Sequence, residues 1–194
     1  MNMAKPNIFI CLVHYPVYNK HMEIVTTSVT NLDLHDISRC ATTYDIPGYF
    51  VVHPSPSHQK VIRTVISYWS EGYGSLYNPD RKTAFKRVIL KDSLEQVIDE
   101  IDADYGMPPK IVTTDARIFP NSVSFTWLRH KIRTTNEPIL LLFGTGWGLE
   151  KSIMESADHI LEPIKGVGEY NHLSVRGAVA IILDRLLGES WWKE

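Results

Sequence analysis

Apolar residues in this chain are grouped in two alternating ways. Several runs are nearly continuous: IFICLVH (residues 8–14), YFVVH (49–53), RVILKD (87–92), KIVTTDA (110–116) and ILLLF (139–143). Runs of this length suit strands buried on both faces. Between them, apolar residues recur at spacings of three and four. Leu34, Ile37 and Ala41 predict a helix over residues 31–44, and Val61, Ile62, Val65, Ile66 and Trp69 predict another over 57–69. Leu94, Val97, Ile98 and Ile101 predict a third, capped by Ser93 with Gln96 completing a capping box and ending at Gly106. Helices are also expected over 122–133, in a short segment after Gly144–Leu149, and over 173–187, with the strand-like HILEPI (159–164) before the last. Residues 71–87 are the least regular part, since Gly72, Gly74, Asn78 and Pro79 mark turns.

Repeated strand–helix units predict an α/β fold: a mostly parallel sheet with helices on both faces. With 194 residues and 44% hydrophobic content, the chain is expected to form a single domain over 1–194, with 71–87 as an irregular basic and aromatic loop. The apolar run near the start lacks a secretory core's length and a cleavage site, and no stretch approaches the ~18 apolar residues of a membrane span. Cys11 and Cys40 are too few for a disulfide framework, so a cytoplasmic protein with reduced thiols is expected. The eight histidines lack metal-ligand spacing, so no metal is expected. Net charge −2 counts against a surface that coats nucleic acid everywhere, so any RNA attraction must come from a patch or a partner. Trp191 and Trp192 near the end suit a core cap or a subunit interface.

Ligands in parallel α/β sheets bind beyond the carboxyl ends of strands. Three such ends stand out: Thr113-Thr114-Asp115, the turn Gly144-Thr145-Gly146-Trp147-Gly148-Leu149, and the stretch from Pro163 through Gly166, Val167 and Gly168 to His172-Leu173-Ser174. Their glycines let backbone groups approach a flat ligand, and Phe143, Ile164 and Leu173 could flank an adenine. A dinucleotide fingerprint fits poorly, because G-x-G-x-G replaces G-x-G-x-x-G and lies late in the chain.

Together FGTGWGL, the EPIKG loop and HLSVRGAVAIILDRL resemble the SPOUT class of RNA methyltransferases, in particular a small bacterial branch of predicted members. The resemblance extends to VHYPVYNK, SVTNLDLHDISR and GYFVVHP. It implies an α/β-knot fold with a C-terminal trefoil knot, which neither composition nor periodicity indicates. It also implies S-adenosylmethionine (SAM) as cofactor, tRNA or rRNA as substrate, and a homodimer. By position, the SAM-binding residues would be Thr114, Leu142, Phe143, Gly144, Gly146, Gly148, Leu149, Ile164, Gly166, Val167, His172, Leu173 and Ser174. A non-catalytic SAM- and RNA-binding module of the same fold is the alternative.

On the helix over 31–44, His35 and Arg39 are four apart and share a face. The ribose-methylating members carry an arginine in a similar helix, which implies phosphate contact or catalysis for Arg39. A guanidinium is a poor base, so a proton acceptor would be His35 or Asp33. Those members also carry a glutamate in the second loop and an asparagine after the third loop's leucine. Gly146 and Ser174 stand there instead, which leaves ribose oxygen, base nitrogen and base carbon open as targets. For RNA contact, Arg39, Arg81, Lys82, Lys86 and Arg87 are the candidates, the last four interleaved with Tyr73, Tyr77 and Phe85. A second basic cluster, Arg129 to Arg133, reads as solvated surface.

Overall fold

The computed structural model describes residues 7–168 and 170–189. Trp191 and Trp192 lie outside the described residues. The chain opens with β1 (Ile8–Val13), whose six residues are all buried, followed by a small antiparallel hairpin of β2 (Val17–Tyr18) and β3 (Ile24–Val25). Helix α1 (Asn31–Thr43) starts at a reciprocal cap. Asp33 N donates to Thr30 Oγ1, and Thr30 N donates to the Asp33 carboxylate. Then come β4 (Tyr49–Val52), α2 (Pro56–Ser70), α3 (Tyr73–Tyr77), α4 (Pro79–Phe85), β5 (Val88–Lys91) and α5 (Leu94–Tyr105). The second half adds β6 (Lys110–Thr114), β7 (Ser122–Val123), α6 (Phe125–Thr134), β8 (Ile139–Gly144), α7 (Lys151–Ser156), β9 (His159–Leu161) and α8 (Val175–Leu187).

One seven-stranded sheet runs β5-β4-β1-β8-β6-β9-β7, with every pairing parallel. Side chains alternate between its faces along each strand. Ile8, Ile10 and Leu12 of β1 pack with Leu34 and Ile37 of α1, Ile62 of α2 and Val179 and Ile182 of α8. Phe9, Cys11 and Val13 pack oppositely with Val97 and Ile101 of α5 and Ile153 and Met154 of α7. The most apolar runs therefore become the central strands, where helices cover both faces. Among the described residues, no helix is long and apolar enough to cross a membrane.

Local corrections follow from capping. Residues 71–87, expected to be irregular, hold two short helices: Asn78 accepts from Arg81 N and Pro79 opens α4, so turn residues act as helix starts. Residues 122–123 extend the sheet edge, and α6 begins only after Ser124 caps it. Ser93 caps α5 as expected, but Gln96 Oε1 accepts from Asp92 N rather than Ser93 N, displacing the box by one residue.

Candidate functional site

The three turns singled out in the sequence leave adjacent strands, because β8, β6 and β9 are neighbours in the sheet. Contacts join them directly. Thr114 Oγ1 donates to Leu142 O at 2.9 Å, which ties the first turn to the strand feeding the second. Asn171 Nδ2 donates to Ala116 O at 2.6 Å, which ties the third to the first. Gly148 has φ +107°, and a side chain added there would point at Asp115 Oδ2, 3.5 Å away. The second turn thus lies within van der Waals reach of the first, and the positive φ of Gly148 is what calls for glycine there.

The β2–β3 hairpin holds that second turn from outside. Tyr18 N donates to Gly148 O and Trp147 N donates to Tyr18 O, at 2.9 and 2.8 Å. Tyr18 OH donates to the Glu150 carboxylate, while Lys151 N donates to Tyr18 OH. Gly146 has φ +59°, and a Cβ there would stand 2.7 Å from Tyr18 O. Glycine is the residue that satisfies both demands.

Of the residues assigned to SAM, Leu142, Phe143 and Leu149 have buried side chains in the core. They offer only backbone groups, so Phe143 does not flank an adenine; its ring fills the sheet's α1 face instead. Gly166, Val167, His172, Leu173 and Ser174 are exposed and Ile164 is half-buried. Ser174 Oγ accepts from Gly177 N and caps α8. Trp147 on the second turn and Val167 and Leu173 on the third are exposed.

The residues assigned to the acceptor side are corrected more strongly. His35 is buried against Trp69 and Phe85, with ring centroids 5.0 and 4.7 Å away. Burial and the charge of Arg81 lower its pKa. It is a core histidine, not the proton acceptor expected beside Arg39. Asp33 is buried and occupied: it accepts from Thr30 N and Oγ1, and Arg176 of α8 pairs with it at 3.3 Å and with Asp36 at 3.3 Å. It fastens α1 to the start of α8. Arg39 is exposed on α1.

Among the basic candidates, Arg87 donates to Asp45 and to Ile46 O at 2.7 and 2.6 Å, and so ties β5 to the loop before β4 rather than facing RNA. Phe85 is in the core. Arg81 lies over the Trp69 ring at 4.6 Å, Lys82 is half-buried and Lys86 exposed. Tyr73 and Tyr77 are exposed and stacked on each other. In the second cluster, Arg129 donates to Arg185 O and Gly188 O at the end of α8, and Lys131 pairs with Glu137.

Sequence reasoning missed a polar row just beyond the sheet. Val13, Val52 and Gly144 pair across β4, β1 and β8, so His53, His14 and Thr145 come next on adjacent strands. His14 Nδ1 meets Thr27 Oγ1 at 3.0 Å, Thr27 Oγ1 meets Thr145 Oγ1 at 2.5 Å, and Thr145 Oγ1 donates to Val13 O at 3.1 Å. Both histidines are fully buried, with centroids 5.9 Å apart, and among the described residues neither Nε2 has a hydrogen-bond partner. Burial pushes the His14 pKa down to about 4, against a smaller raising effect from Asp33, and burial likewise lowers that of His53. The available signal was that two apolar runs each end in histidine.

The chain is similar to several known proteins. A family described as SAM-dependent RNA methyltransferase matches residues 7–188. A protein of Aquifex aeolicus with no assigned activity is 45% identical over 188 residues, covering 97% of this chain and 92% of that protein. A protein of Oleidesulfovibrio alaskensis named tRNA (guanine-N(1)-)-methyltransferase is 41% identical over 184 residues. The match covers 95% of this chain but only 43% of that relative. Among solved structures, the SpoU methyltransferase AviRb of Streptomyces viridochromogenes in complex with AdoMet shares the fold, with TM-score 0.58 and 16% identity over 95% of this chain and 61% of that one.

Proposed function

Because this chain belongs to the SAM-dependent RNA methyltransferase family, we propose that it methylates structured RNA, tRNA or rRNA, with the three joined turns as its SAM pocket. The observation that carries this reading is the contact of all three turns at neighbouring strand ends. Backbone groups of Leu142, Gly144, Gly146, Gly148 and Leu149 would hold the cofactor on one side. Thr114, Ile164, Gly166, Val167 and the His172–Ser174 stretch would hold it on the others. SAM, when bound, supplies a methyl group on a charged sulfonium, so the protein's part is chiefly to position the acceptor.

Arg39, exposed on α1, suits contact with an RNA phosphate. Gly146 and Ser174 stand where ribose-methylating members carry a glutamate and an asparagine, which favours a base nitrogen as acceptor over a ribose hydroxyl. The atom named for the Oleidesulfovibrio relative is of that kind. The threaded C-terminal segment, a homodimer that completes each pocket, and a cytoplasmic location belong to the same reading.

Tritiated-methyl transfer from SAM to bulk RNA of cells lacking the protein tests it directly. Label in a defined RNA is expected. SAM binding without any transfer would favour a non-catalytic module of the same fold. In the same assay Arg39→Ala is expected to abolish transfer while calorimetric SAM affinity stays within about twofold, because a phosphate clamp acts on the substrate alone. Lost SAM affinity would contradict the role given to Arg39.

A further inference from the structure

Hydrogen-bond bookkeeping fixes the polarity of the buried row. A carbonyl only accepts, so the single proton of Thr145 Oγ1 goes to Val13 O. Thr27 Oγ1 must then donate its own proton to Thr145 Oγ1. With that proton committed, Thr27 Oγ1 accepts from His14, and His14 Nδ1 carries the hydrogen. His14 Nε2 is left with a lone pair. His53 has the opposite arrangement. Ser55 N–H donates to its Nδ1 at 3.2 Å, so the proton of the neutral ring is on Nε2. Two neighbouring, fully buried rings thus present one acceptor and one donor; among the described residues neither Nε2 has a hydrogen-bond partner within ordinary geometry, while the Thr27 backbone lies close enough to act on both rings. Unmet buried groups of this kind are how a site for a polar ligand looks before it is filled.

The surroundings place this pair at the acceptor side. Thr145 belongs to the turn assigned to SAM, and Asp33, close enough to act on His14 electrostatically, leads through Arg176 to the start of α8. The exposed His58 ring stacks on His53 at 4.6 Å and meets Ser28 Oγ at 3.4 Å. It is an exposed side chain lying over one ring of the pair.

We propose that His14 and His53 read the lactam edge of the base to be methylated, the ring N–H beside a carbonyl that guanine and uracil present. The inference rests on the RNA methyltransferase reading above. His14 Nε2 accepts the proton of the ring N–H as that nitrogen takes the methyl carbon, and the C–S bond breaks with its electron pair staying on sulfur. The products are the N-methyl base, a neutral thioether and protonated His14, which returns its proton to solvent. His53 Nε2–H donates to the carbonyl oxygen, where negative charge collects as the N–H proton leaves. Adenine offers a complementary edge too, but its exocyclic amine is a far weaker acid than a lactam N–H. A buried imidazole is too weak a base for it.

Asparagine variants separate the two ring nitrogens. His14→Asn keeps an N–H toward Thr27 and deletes the Nε2 lone pair; His53→Asn keeps an acceptor for Ser55 N–H and deletes the Nε2 donor. In single-turnover transfer to RNA, His14→Asn is expected to lose about 10²–10⁴-fold with SAM affinity held, and the mapped product to be methylated on a lactam nitrogen. Nitrogen-15 NMR of the wild-type imidazoles gives a readout without turnover. At pH 7, His14 Nε2 should be unprotonated and His53 Nε2 protonated. Guanosine or uridine monophosphate should shift both signals in the presence of S-adenosylhomocysteine, and adenine, whose edge is also complementary, should be excluded only at the methyl-transfer step. Methyl on a ribose oxygen or an exocyclic amine, the opposite tautomers, or a fully active His14→Asn would overturn the inference while leaving the enzyme assignment intact. Absent SAM binding would instead remove the reading beneath it.

Discussion

His14 shows how one side chain couples folding to pH. Burial holds its folded pKa near 4, against about 6.5 when exposed, so the unfolded chain takes up the proton first as pH falls. The stability is complete above about pH 6.5 and is lost as pH drops toward 4, by roughly 3 kcal/mol from this residue alone. Asp33, His53, His58 and the Thr27–Thr145 pair are the groups that face it. Urea melts of wild type and His14→Asn at pH 7 and pH 4.5 check this: the variant's stability should fall less between the two. Equal losses would mean that other groups carry the acid sensitivity. The same residue marks a limit of reading from sequence. IFICLVH and YFVVH are legible as strands, but what their terminal histidines meet is decided by Thr27 and His58, which other elements deliver. Helical spacing likewise places Asp33, His35 and Arg39 on one helix. Only the packing of α2 and α4 decides that His35 is covered and Arg39 is not.

Among elements, the glycine turn after β8 is fitted from two sides, by the hairpin at Tyr18 and by the first turn at Asp115. Gly146→Ala must accept a left-handed backbone and push against the Tyr18 carbonyl, at a cost of about 1–3 kcal/mol. Displacing the turn should also weaken SAM binding about tenfold or more, as read by calorimetry. Gly166→Ala is the control for strain, because its φ is ordinary and a Cβ there meets nothing within 4 Å. Its stability should stay within about 0.5 kcal/mol of wild type. A Gly146→Ala protein as stable as wild type would show that the hairpin yields. The glycine spacing was visible in the sequence, and its position at strand ends followed from the α/β pattern. The clasp by β2 and β3 was not visible, since two-residue strands leave no periodicity. Residues 71–87 were misread for a related reason: Gly72 and Asn78 punctuate a chain in the same way whether they close turns or start short helices.

On the scale of the whole molecule, a net charge of −2 conceals where the cations are. Lys60 and Arg63 on α2 are exposed, as is Lys86 on α4, and Tyr73 and Tyr77 are exposed on the short helix α3 that comes between them in the chain. A groove of about 630 Å³ runs along α2 past Lys60, Arg63 and Tyr68, starting at Pro56 and Gln59. Gln59 Nε2 donates to His53 O, so the groove begins one hydrogen bond from the buried histidine pair. Phosphates tracked along this face would bring a base toward the ends of β1 and β4, and stacking on the tyrosines suits unpaired nucleotides. Each phosphate neutralised contributes roughly 0.7–0.9 to the slope of log K against log salt. Replacing both Lys60 and Arg63 by alanine should therefore weaken RNA binding and lower that slope by about 1.5, measured by filter binding across a salt series. Arg87→Ala should behave differently, leaving the slope unchanged and costing stability, because its guanidinium is spent on Asp45 and the Ile46 carbonyl. If the slope falls for Arg87→Ala and holds for the double variant, RNA does not run along α2, and the cations of α4 face the substrate from another side.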